Sequence, residues 1–121
     1  MNRIHAEIVE KAQLLGSPCE IFQFLNQKIR YYFYKGSKYS EIDVLRDKRG
    51  NCLDIARLLI AMLKSIDIDA KLIYTTTPYK RGLLHHYNVS AKINGRTIIV
   101  DVVSDNPLNR HKGAWVRGLS C

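Results

Sequence analysis

One stretch of this 121-residue chain carries the residue types for nucleophilic chemistry: Asn51-Cys52-Leu53-Asp54, followed by an almost unbroken apolar run from Ile55 to Leu63. Asn51 is a strong helix-capping residue and Asp54 falls at the third helical position. The spacing therefore predicts a helix from Cys52 to about Ser65, apolar over most of its circumference and so buried on several sides. A cysteine at the first position of such a helix sits at the electropositive end of the dipole, where the thiolate is favoured. It becomes a catalyst only when a base holds its proton and a third group fixes that base.

A hairpin can supply both partners. Asn94-Gly95 is a strong signal for a two-residue type I′ turn, because both central positions need positive φ, and it separates two β-rich runs, His86 to Ile93 and Arg96 to Val103. Ile93 then pairs with Arg96, Asn88 stands opposite Asp101, and Val103 opposite His86. His86, Asn88 and Asp101 share one face, with His86 and Asp101 as diagonal neighbours. The other face collects Tyr87, Val89, Ala91, Ile93, Ile98, Val100 and Val102 and must be covered by the amino-terminal helices. A three-residue turn would reverse the parity and put Asp101 on that apolar face. Taken singly, a cysteine at a helix start, a strand histidine and a strand aspartate are each more often packing residues. Their conjunction points to catalysis.

The remaining segments must position these three. Ile4, Ile8, Ala12 and Leu15 recur at helical spacing over residues 3 to 15, and Gly16 stops that helix. Ser17-Pro18-Cys19-Glu20 has a hydroxyl cap, a proline at the first position and a glutamate three residues on, so a second helix should run from Pro18 to about Arg30. A short helix is expected from Ser40 to Arg46 and a strand from Ala70 to Thr76. Thr77 to Leu84, with Pro78, Lys80, Arg81 and Gly82, reads as a mobile loop with His85 solvated at its end. The tail from Ser104 to Cys121 has little regular signal beyond an apolar anchor at Trp115. The whole, residues 1–121, reads as one α+β domain: amino-terminal helices and a central Cys-bearing helix packed on a small antiparallel sheet.

Composition narrows the function classes. With 46% hydrophobic and 25% charged residues the chain is a compact soluble domain, and its longest nearly apolar run, Leu58 to Leu63, is far short of the ~20 residues of a membrane span. No signal-peptide pattern opens it, so it is expected to be cytoplasmic as synthesised. Nineteen Lys and Arg against eleven Asp and Glu give a net charge of +8, spread along the chain rather than gathered in a stripe, which argues against specific nucleic-acid binding. Cys19, Cys52 and Cys121 form no short-spaced pair and read as thiols, Cys19 packing within its helix. His85 and His86 point to opposite faces and cannot chelate one ion together, and Cys52 has no neighbouring ligands. Neither a metal nor any other cofactor is expected.

The order of these motifs resembles the transglutaminase-like (papain-like) superfamily of cysteine enzymes, in which a Cys opens a buried helix and a His and an Asp follow on successive strands. Within it the chain is similar to the pseudomurein endoisopeptidases of archaeal viruses. That likeness rests on Tyr34 to Tyr39, Arg49-Gly50-Asn51-Cys52-Leu53-Asp54, Ile68 to Ala70, His86, Gly95, Asp101, Ser104, Asn106 and Trp115. The resemblance implies Cys52 as nucleophile, His86 as base and Asp101 as orienting acid. Asn51, Asp54 and Asn88 stand beside them as oxyanion or helix-cap support. It implies a peptide or isopeptide substrate, with pseudomurein cross-links of a cell wall as the specific case, reached only by lysis or another export route. The chain departs from the family at Asn88, where an aromatic residue is usual, and at Asp67 and Asp69, where Gly and Pro are usual. Two other readings stand beside hydrolysis: an acyl transferase that passes the same thioester to an amine, and an inactive binding module of the same fold.

Overall fold

The computed structural model describes residues 3–79, 82–102 and 115–117. Helices α1 (Ala6–Leu15) and α2 (Pro18–Lys28) are separated at Gly16, whose φ of 80° is the left-handed C-cap conformation open to glycine at no steric cost. The Ser17 side chain caps α2, accepting from Glu20 N at 3.3 Å, and Pro18 occupies the first turn where its missing N–H is harmless. Helix α3 (Glu41–Asp47) starts at the Ser40 cap. The long apolar run forms α4 (Cys52–Ser65) with both ends where the capping pattern predicts them.

The core is built around α4. Its Ile55, Leu58, Leu59, Met62 and Leu63 are buried together with Ile8 of α1, Phe22 of α2 and Val44 of α3. Each large side chain removed from water contributes about 1.5–3 kcal/mol, so the element that presents Cys52 is anchored along its whole length.

The second layer is an antiparallel meander of β3 (Ala70–Tyr79), β4 (Gly82–Ile93), β5 (Arg96–Asp101) and β6 (Trp115–Arg117), in that order. At the β4–β5 turn Asn94 has φ 54° and Gly95 φ 77°, and Ile93 stands opposite Arg96, the register of the two-residue turn. Val89, Ala91, Ile93, Ile98, Val100 and Val102 are buried on one face, against which α4 lies. A two-residue parallel bridge joins β1 (Arg30–Tyr31) to β2 (Arg49–Gly50) just ahead of Cys52. Strands this short carry no periodicity, and the sequence does not announce them.

Three expectations need correction. Thr77 to Leu84 is not a loop: β3 and β4 pair continuously from Ala70–Ala91 to Tyr79–Gly82, so His85 lies within β4 opposite Thr76, and only residues 80 and 81, outside the described residues, connect the strands. Pro78 is tolerated because β3 is an edge strand, where a missing N–H breaks no ladder on the open side. The tail adds strand β6, where Trp115 pairs with Asp101. Cys19 is disulfide-bonded and not a thiol, whereas Cys52 keeps its thiol. Among the described residues no helix is long and apolar enough to cross a membrane.

Candidate active site

Cys52 is the first residue of α4, half-buried, and everything immediately around the helix start is fixed by hydrogen bonds. Asn51 caps the helix, its Oδ1 accepting from Asp54 N at 2.8 Å. Its Nδ2 donates to the carbonyls of Tyr34 (3.0 Å) and Gly36 (2.7 Å), and its own N–H donates to the Tyr34 hydroxyl at 2.9 Å. The side-chain amide is thereby committed to structure.

Asp54 does not cap its own helix with its carboxylate. Buried to 1% exposure, it accepts from Tyr34 Oη (2.5 Å), Lys38 N (2.9 Å) and Tyr39 N (3.0 Å) at Oδ2 and from Ser37 Oγ (2.6 Å) at Oδ1. Burial alone would raise its pKa. The bonds from Ser37 and Tyr34 and from the two backbone N–H groups outweigh that and hold it below the usual carboxylate range. Tyr34 is pushed above the usual phenol range, first by burial and then by its bond to Asp54. Residues 34–39 are thus clasped onto the start of α4, next to the thiol. The sequence contained one pointer to this clasp, an aspartate inside an apolar helix. Its four partners lie 15 to 20 residues away and carry no motif.

On its other side Cys52 lines a small cavity of about 10 Å³, room for about one water, together with Ala56, Leu59, Tyr87, Asn88 and Asp101. The cleft opens where the sheet divides. Pairing between β4 and β5 ends at Val89–Val100, while Asn88 remains paired to Ile73 on β3 and Asp101 to Trp115 on β6. Asn88 and Asp101 are the first positions past the split. Asp101 is 3% exposed, and the carbonyl of the next residue, Val102, is tied to α2 by Asn26 Nδ2 at 2.9 Å. Asn88 Oδ1 is buried with no hydrogen-bond partner among the described residues. A buried amide left unsatisfied costs about 1–3 kcal/mol, and such groups concentrate where a ligand completes them.

Of the residues expected to act together, the structure brings Cys52, Asn88 and Asp101 to one cleft. Asn51 and Asp54 stand behind the thiol in supporting roles. His86 has its backbone in β4 opposite Thr75, two residues before Asn88. Its side chain lies outside the described residues, as do Ser104 and Asn106.

The profile of the transglutaminase-like superfamily matches residues 4–117. Among solved structures the chain is similar to a candidate cysteine protease of Cytophaga hutchinsonii (TM-score 0.66, 19% identity, 98% of this chain and 50% of that one). It is also similar to a candidate protease of Parabacteroides distasonis (TM-score 0.65, 21% identity, 91% of this chain and 25% of that one). This chain therefore spans about half the length of the first and a quarter of the second. The comparison with curated proteins finds no match. With a thiol at the head of the buried helix, a carboxylate at the split of the antiparallel sheet and a profile match over nearly every residue, the chain belongs to the transglutaminase-like superfamily.

Proposed function

We propose that this domain is a cysteine hydrolase that cleaves an amide or isopeptide bond, with Cys52 as nucleophile, His86 as general base and acid, and Asp101 as the group that orients the imidazole. The observation that supports the reading is the shared cavity: Cys52, at the first turn of α4, and Asp101 both line it, next to the part of β4 that also carries His86. The Cys52 thiol passes its proton to the imidazole and attacks the carbonyl carbon, and the imidazolium then protonates the departing amine as the tetrahedral intermediate collapses to a thioester. Water, deprotonated by the same imidazole, attacks the thioester, releases the acid and restores the thiol. The Cys52 N–H at the helix start is the donor proposed for the oxyanion, and the unpartnered Oδ1 of Asn88 is an acceptor proposed for an N–H of the substrate.

The substrate proposed is the Lys-containing peptide cross-link of pseudomurein, and the excess of basic residues suits an acidic wall. The test is release of free amine from purified pseudomurein and from a synthetic ε-linked Lys isopeptide. Wild-type protein should cleave both, with Cys52→Ala and His86→Ala each reducing the rate by at least about 10³-fold. A Cys52→Ala protein that cleaves at the wild-type rate overturns the reading.

A further inference from the structure

On the face of α4 away from the thiol cleft lies a second cavity of about 490 Å³, between the chain start, α1, α3 and α4. Residues 57 and 61 of α4 line it, whereas the cleft takes 52, 56 and 59, the opposite side of a 3.6-residue repeat. Its volume lies in the ~300–1,000 Å³ range of small-molecule sites, and its walls are of two kinds. Ile4, Ile8, Ile42 and Ala61 make an apolar side, and Arg3, His5, Arg57 and Glu41 a polar one.

The polar side is left with donors and an uncompensated positive charge. Arg57 has one bond to Ser37 Oγ at 3.3 Å and a loose approach of 3.8 Å to Glu41, which leaves N–H groups of its five-donor fork unused. Glu41 balances one guanidinium, and Arg3 has no ion-pair partner among the described residues. His5 accepts the Glu7 N–H at Nδ1 (3.1 Å), so the neutral ring carries its proton on Nε2 and is a donor as well.

We propose that this cavity binds a small aliphatic carboxylate, its head group held by Arg3, Arg57 and His5 and its chain lying on Ile4, Ile42 and Ala61. This site is separate from the thiol cleft and does not depend on the hydrolase reading. Titration calorimetry on the full chain tests it with three probes: hexanoate, hexanol (the same chain without the charge) and inorganic phosphate (charge without the chain). Hexanoate should bind one to one with a dissociation constant of about 0.1–1 mM, as an efficient ligand of this size does, and the other two at least about tenfold more weakly. Arg3→Gln and Arg57→Gln should each weaken hexanoate about tenfold, the loss of one charge-assisted contact, and Ala61→Phe should abolish binding with every charge in place. Arg3 lies outside every helix, so Arg3→Gln keeps the test valid if Arg57→Gln disturbs the Ser37 segment. No saturable binding in the millimolar range, equal binding of hexanol or phosphate, or unchanged affinity in Arg3→Gln and Ala61→Phe overturns the proposal.

Discussion

At the level of single residues, the two buried carboxylates differ in what surrounds them. Asp54 is spent on four bonds to residues 34–39, and Asp101 lines the same small cavity as Cys52. Asp54→Asn should therefore cost stability, at least about 2 kcal/mol in urea unfolding at pH 7, because it removes a charged acceptor from a buried network. Because the native pKa of Asp54 is depressed, its contribution is full above the ordinary aspartate pKa of about 4 and fades as pH falls through the lower native value. The wild type should lose stability over that acid range more steeply than the variant. Asn88 has the reverse character. Its orphan oxygen makes it a stability cost kept at the cleft, so Asn88→Leu should unfold no more easily than wild type while losing at least about tenfold in turnover. The two adjacent histidines separate by parity: His85→Ala should retain most of the activity and His86→Ala almost none, measured with the same isopeptide substrate. The sequence made Cys52 legible because capping is local chemistry. It could not show the Asp54 clasp, since that role is set by a loop that folds back from 15 residues upstream.

Between elements, the site depends on the close seating of β2 under α4 and on the turn that sets the parity of β5. A Cβ on Gly50 would stand 3.2 Å from Ile55 Cγ1 and 3.4 Å from Asp54 Cβ, both in the first turn of α4, so Gly50→Ala should destabilise by about 1–3 kcal/mol and disturb the helix start with it. One residue inserted at Asn94-Gly95 would move Asp101 to the other face, and activity should vanish while far-ultraviolet dichroism stays close to wild type. The β4–β5 register was readable in advance because positive φ at Asn94 and Gly95 leaves one turn type. The loop expected at Thr77 to Leu84 failed because Pro78 and Gly82 read as breakers, yet an edge strand and a hairpin end accommodate both.

As a whole the molecule is a helical layer whose central helix presents a thiol at the dividing end of a sheet, and the matched structures that share this fold are longer than this chain. The central claim is that the Cys52 sulfur and the His86 ring form one proton-sharing pair steadied by Asp101. Its most direct test is the pH profile of iodoacetamide alkylation at Cys52, followed by mass spectrometry of the peptide that contains it. The wild type should react with a midpoint well below the ~8.5 of an ordinary thiol, and His86→Ala and Asp101→Asn should each move that midpoint back toward it. Superimposable profiles for wild type and His86→Ala would contradict the account.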